Sequence, residues 1–401
     1  MTALTLLAAD GSTTSVALAP APALTRPATP LAAREVFAAA HVVPRTSGDN
    51  TPGAPADIDW DQTLAFRHHL WSWGLGVADA MDTAQRNMGL DPAAVRELIT
   101  RSAAEAATVG GRIAVGVNTD DITDDVATLD RIADAYTAQL QHAEDAGATP
   151  VLMASRHLAR TATSPDDYRR VYASVLRRAS GPVILHWLGD AFDPALTGYF
   201  GSSYDVASST VVQIMEDAAD RVSGIKMSLL DADAERDMRR RLPTGVRMFT
   251  GDDYHYVDLI AGDDGIYSDA LLGAFAALGP LASAAVQALP DEQAYRGMLG
   301  PTEPLARHIF ATPTWHYKTG VAFLAWLNGH QSAFTMVGGL HAARSLPHLS
   351  ELVRLANACG ALERPEFALE RWHALLHLNG VDTAGAPTTF APQSQLAQVA
   401  R

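Results

Sequence analysis

Two lysines, Lys226 and Lys318, stand against twenty-eight arginines in this chain of 401 residues. Arginine keeps its charge at every accessible pH, whereas lysine can lose its proton and attack as a neutral amine. Lys226 closes a strand-like run, Arg221-Val222-Ser223-Gly224-Ile225-Lys226-Met227-Ser228. A chain that builds nearly all its cations from arginine has little ordinary use for a lysine there. The chemistry this suggests is imine formation between Lys226 and a carbonyl compound. The bland alternative is a cation paired with Asp252 or Asp253. Lys318 follows Trp315-His316-Tyr317 at the start of an apolar helix and reads as structural or supporting.

Other side chains would serve such chemistry. His186 ends the run Pro182–Trp187, and an imidazole titrating near neutrality suits general acid or base work. It could equally be a core histidine bonded to a carbonyl. Thr83 can bond a substrate oxygen or relay a proton. Asp82, Arg86, Trp187, Ser228, Thr250, Asp252 and Asp253 are candidates for binding substrate. Arg86 would grip a carboxylate or phosphate in bidentate fashion, unless it is a surface arginine. Trp187 would stack on a sugar face, although most tryptophans fill cores. The imine reading needs no cofactor. A rival reading gathers Asp79, Asp82, His186, Asp252 and His255 around a divalent metal, as an isomerase or epimerase would. No compact ligand spacing supports it. A third reading is a barrel that binds a ligand without turning it over.

These residues need a scaffold that brings them to one place. Short apolar runs alternate with amphipathic stretches through the middle of the chain. Strands are predicted near Val36–Val43, Gly76–Ala80, Arg112–Val117, Pro150–Ala154, Pro182–Trp187, Gly224–Met227, Arg247–Thr250 and Gly265–Tyr267. Helices are predicted between them and over Asp269–Ala288. Asp91 is the N-cap and Pro92 the first residue of the second helix. Eight strand-helix units in about 250 residues predict a (β/α)8 TIM barrel, in the α/β class. A doubly wound sheet would usually open on a glycine-rich turn, and His41-Val42-Val43-Pro44 is unlike one. In a barrel the ends of the strands share one mouth, which nominates the residues above.

The domain reading follows. Residues 1–33 form an extension, with a hairpin of Thr2–Ala8 and Thr13–Ala19 around Asp10-Gly11 and then a proline-rich connector. Residues 34–290 form the barrel and 291–380 a C-terminal helical region. Residues 381–401, rich in Thr, Ala, Pro and Gln, read as a flexible tail. The net charge of −15 and the absence of a basic patch argue against nucleic acid. No run of eighteen apolar residues predicts a membrane span. One cysteine, Cys359, excludes an internal disulfide and fits a reducing cytoplasm.

Three segments resemble the dihydrodipicolinate synthase / N-acetylneuraminate lyase family. Ser223-Gly224-Ile225-Lys226-Met227-Ser228 resembles its Gly-Ile-Lys-Asp-Ser. Pro182-Val183-Ile184-Leu185-His186-Trp187-Leu188-Gly189 resembles its strand-5 Pro-Val-Ile-Leu-Tyr-Asn-Val-Pro. Phe249-Thr250-Gly251-Asp252-Asp253 resembles its Ser-Gly-Asp-Asp. Ile58-Asp59-Trp60 and the stretch from Thr312-Pro313 to Lys318 are weaker echoes. The resemblance covers residues 34–330 in order and spacing. It implies a class I aldolase-type barrel whose strand-6 lysine forms an imine with a keto acid, and a homo-oligomer, dimer or tetramer. The chain also departs from the pattern. The family's carboxylate-gripping Gly-Thr-Thr-Gly-Glu becomes Asp82-Thr83-Ala84-Gln85-Arg86, and the strand-5 tyrosine that relays protons becomes His186. Lysine chemistry therefore carries over, on a small keto acid or keto sugar, while pyruvate itself does not.

Overall fold

The computed structural model describes residues 3–124 and 126–383. Most of the expected tail, 384–401, lies outside the described residues, as do Asp125, in a helix the sequence predicts over Asp124–Ala146, and Thr2 at the start of the hairpin.

Eight parallel strands close into a barrel. After the hairpin strands β1 (Ala3–Leu7) and β2 (Thr13–Ala17) come β3 (Val36–Ala39), β4 (Gly76–Asp79), β5 (Ile113–Val117) and β6 (Thr149–Leu152). They are followed by β7 (Val183–Leu188), β8 (Val222–Ser228), β9 (Arg247–Thr250) and β10 (Asp269–Leu272). Strand β10 pairs with both β9 and β3 and completes the ring. Strands covered on both faces need apolar residues at every position. Ile113-Ala114-Val115-Gly116-Val117 is such a run and is buried throughout.

Period-2 alternation sorts these side chains into two sets. Phe37, Ala39, Ala78, Ala114, Val151, Ile184, Phe249 and Leu271 pack inside the ring. Their neighbours pack outward on the helical shell. The helices start where the sequence offers caps: Asp59 accepts from Gln62 N, Thr128 from Arg131 N, and Asp91 from Ala94 N with Pro92 behind it.

The eighth strand departs from expectation. Gly265–Tyr267 is a turn closed by an Asp263–Ile266 bridge, and the strand is Asp269–Leu272. The expected helix over 269–288 begins at Ala274 instead. Asp269-Ala270-Leu271-Leu272 looks helical by propensity, but all four are buried, and the ring demands a strand there.

The hairpin folds back onto the far end of the chain. Thr5 N donates to His373 Nε2 at 3.1 Å, Trp372 Nε1 donates to Thr5 O at 2.7 Å, and Leu7 N donates to Ser350 Oγ at 2.7 Å. The hairpin and the helices Leu346–Cys359 and Pro365–Leu378 therefore form one cap beside the barrel. Among the described residues, no helix is long and apolar enough to cross a membrane.

One ion pair is wholly buried in the shell. Arg67, on the first barrel helix (Trp60–Ser72), reaches both oxygens of Asp79 at 2.9 and 2.8 Å. Neither side chain is exposed. Its remaining donors bond the carbonyls of His41 and Thr63. Removing one partner of such a pair strands the other charge in low dielectric. Asp79→Ala is thus expected to lower the unfolding free energy in urea by about 3–5 kcal/mol. A loss under about 1 kcal/mol would contradict this role for the pair.

Candidate active site

Lys226 is register-paired with His186 on β7 and Phe249 on β9. Phe249 and the residue two before His186, Ile184, point inward, so Lys226 does too. Its side chain enters a tight cavity at the mouth of the barrel, with a free volume of about 10 Å³, room for roughly one water molecule. Lys226 shares the cavity with Asp82, Thr83, Ser228, Asp253 and Tyr317, against an apolar wall of Ala39, Met81, Leu188 and Phe192.

Only 8 % of Lys226 is exposed. Burial pulls its pKa down from 10.5, while the charges of Asp82 and Asp253 pull the other way. Among the described residues no carboxylate lies within ion-pair distance and no acceptor bonds its Nζ. The amine is thus free to meet a ligand. Asp253 is buried and its pKa is raised, chiefly by burial. Its Oδ1 accepts from Ala274 N at 2.8 Å, which fixes it at the start of the helix after β10.

Thr83 Oγ1 and Tyr317 Oη are 2.8 Å apart. Burial, reinforced by the charge of Asp82, holds the Tyr317 phenol well above its ordinary pKa, so it keeps its proton. Tyr317 comes from the helix Tyr317–Leu327, outside the eight barrel units. Its sequence signal is faint: it directly precedes the second lysine in an aromatic run. The loop carrying Asp82 and Thr83 is conformationally demanding, with φ of 50° at Ala80, 64° at Gln85 and 63° at Asn87. Non-glycine residues are costly in that region, and such strain collects at functional sites.

Two glycines make room. A Cβ on Gly251 would meet Ser228 Oγ at 2.1 Å and Lys226 Cε at 2.8 Å; one on Gly273 would meet the Tyr317 ring at 3.0 Å. Gly251→Ala is expected to push Lys226 off its position and slow its reaction with a carbonyl probe at least about tenfold. The rate of reductive trapping checks this, and an unchanged rate would mean that the lysine has slack.

His186 is fully buried beside Lys226 without lining the cavity. Its Nε2 lies 3.2 Å from Ser228 Oγ, and among the described residues its Nδ1 has no partner. Burial, and then the Lys226 charge, hold it well below the usual histidine range. It is a neutral ring that orients Ser228. Lys318 is buried as well, its pKa lowered to about 8 mainly by burial. Its Nζ donates to Trp315 O at 3.0 Å and sits over the Tyr317 ring.

Several expected binding residues do not reach the cavity. Trp187 alternates outward from β7 and stacks on Tyr204 in the shell. Thr250 alternates outward likewise, and its Oγ1 accepts from Asp252 N. Asp252 accepts from the backbone of Tyr254 and His255 and pairs with His255 Nδ1 at 2.8 Å. Arg86 has no donor left for a ligand. It bonds the carbonyls of Ala80 and Gly116, both oxygens of Asp120, and Gln139. Its work is to brace the loop that bears Asp82 and Thr83. The five residues considered for a divalent metal do not converge on one point: Asp79 is taken by Arg67 in the shell, Asp252 and His255 pair with each other, and His186 bonds Ser228.

Comparison with known proteins agrees with this architecture. The profile of a family described as "Protein of unknown function (DUF993)" matches residues 4–381. No curated protein matches the sequence. A putative dihydrodipicolinate synthetase from Pseudomonas aeruginosa is 14% identical, with a TM-score of 0.60 over 80% of this chain and 99% of that one. The dihydrodipicolinate synthase of Aquifex aeolicus is 12% identical, with a TM-score of 0.61 over 80% and 97%. A prophage protein of the dihydrodipicolinic acid synthase family from E. coli K12, in complex with pyruvate, is 16% identical, with a TM-score of 0.60 over 80% and 97%. Identities this low speak to the fold, and the fold is the one the motifs implied.

Proposed function

The chain belongs to the DUF993 family, and we propose that it is a Schiff-base-forming lyase or synthase of the class I aldolase kind. The observation that carries this reading is Lys226: a buried amine, unpaired, inside a small cavity lined with hydroxyl and carboxyl groups. Burial favours the neutral amine that attacks a carbonyl carbon. The carbinolamine then loses water. Tyr317, hydrogen-bonded to Thr83, supplies the proton for the departing hydroxyl and is reprotonated through Thr83 and solvent. The resulting iminium withdraws electrons, so a C–C or C–H bond beta to nitrogen can break. Asp253 is the group that takes up or returns the proton at carbon. Hydrolysis of the imine restores Lys226.

The charges around Lys226 bear on substrate class. Those that act on it are the carboxyl groups of Asp82 and Asp253. Arg86, the residue that could have clamped a substrate carboxylate, is fully engaged within the protein. A keto sugar, whose hydroxyls can donate to carboxylates, suits this surface better than a keto acid such as pyruvate, which the E. coli neighbour binds. The test is a panel of keto sugars, hydroxy ketones, aldehydes and keto acids, each incubated with the full chain and borohydride and read by intact mass. The reading expects a covalent adduct, formed faster with neutral polyhydroxy carbonyls than with pyruvate. No adduct with any member of the panel would remove it.

A further inference from the structure

Away from the lysine cavity, His69, His330 and Glu363 converge where the C-terminal helices meet the first barrel helix. Their ligating atoms all lie within 4.8 Å of one another. Glu363 Oε1 is 2.8 Å from His330 Nε2 and 3.6 Å from His69 Nε2, and the two imidazole centroids are 4.1 Å apart. Ligands about 2.0–2.1 Å from a tetrahedral zinc ion stand about 3.3–3.4 Å from each other. The separations here bracket that spacing, so small shifts of the three side chains would enclose such an ion. We propose that His69, His330 and Glu363 form a transition-metal site of the zinc type, which fastens the C-terminal helices to the barrel.

Two imidazoles and one carboxylate suit zinc and its neighbours rather than calcium or magnesium, which prefer all-oxygen shells. Each ligand comes from a different part of the chain: the first barrel helix, the turn after the helix Tyr317–Leu327, and the loop before the helix Pro365–Leu378. Their orientation is already fixed. The Phe66 ring packs on both imidazoles. Asn328 accepts from Glu363 N and donates to Ala361 O, which locks the loop against the turn. Gln331, next to His330, bonds His41 at the end of β3. Water would complete the shell on the side open to solvent.

The experiment uses the full chain, stripped with chelator and dialysed, then titrated with Zn2+ alone by calorimetry and with Co2+ by visible absorption. One Zn2+ per chain, an intense tetrahedral cobalt band and a higher thermal midpoint with Zn2+ are expected. Glu363→Gln and His69→Asn should each weaken binding at least about a hundredfold, while Lys226→Arg binds as the wild type does. The absence of saturable binding, or wild-type affinity in both ligand variants, would overturn the proposal. Should a variant misfold by circular dichroism, the wild-type cobalt spectrum decides: a weak octahedral band alone rejects the site.

Discussion

Lys226→Arg is expected to abolish adduct formation and to reduce turnover on the order of 10⁴-fold or more. Arginine preserves the positive charge and most of the stem, so packing and electrostatics change little. What it removes is a nitrogen that can become neutral and bond to carbon. A loss this large at nearly constant charge separates a nucleophile from a cation that merely balances Asp82 and Asp253. The pH dependence adds a second readout. Below its pKa the amine is protonated and does not attack, so the rate of wild-type trapping rises with pH. Because burial lowers the Lys226 pKa, the midpoint falls below 10.5. A midpoint at or above that value, or a Lys226→Arg variant that still forms adduct, would show that the reactive group lies elsewhere.

The second large effect is expected of Tyr317→Phe. The ring still packs on Gly273 and Phe310. Only the hydroxyl bonded to Thr83 is lost, which costs about 1 kcal/mol of stability. Turnover should fall by about 10²–10⁴-fold, the usual contribution of a positioned proton donor. Trapping at long times should still reach the wild-type yield, because the amine is intact; only the approach to that yield slows. A merely structural tyrosine would instead leave the rate constant unchanged and lower the thermal midpoint. Activity within about threefold of wild type would exclude the relay.

The sequence was most legible where one strand does several jobs. Gly224-Ile225-Lys226-Met227-Ser228 encodes a buried strand, the inward parity of the lysine and the ring position of its neighbours. The same parity should have separated His186 from Trp187 and Gly251 from Thr250. Nominating every polar residue near a strand end ignored the alternation, and so admitted Trp187 and Thr250, which face the helices. Arg86 misled for another reason. Nothing local reveals that Asp120 and Gln139, brought by the next strand-helix unit, consume its donors. Asp269–Leu272 was hidden because its residues favour helix and only ring closure makes them a strand. Tyr317 was the least legible of all. It reaches the mouth through tertiary packing of a segment far beyond the last strand, and no periodicity records that. The His69, His330 and Glu363 cluster is equally non-local, with its members spread over almost 300 positions.

Both lysines of this chain are buried near the barrel mouth, and burial depresses the pKa of each. Peptide mapping after borohydride reduction in the presence of a reactive keto sugar therefore tests the central claim most directly. The account predicts the mass of the reduced adduct on the peptide containing Lys226, with the Lys318 peptide unmodified. An adduct confined to Lys318, or a protein that turns over the sugar while Lys226 stays unmodified, would contradict it.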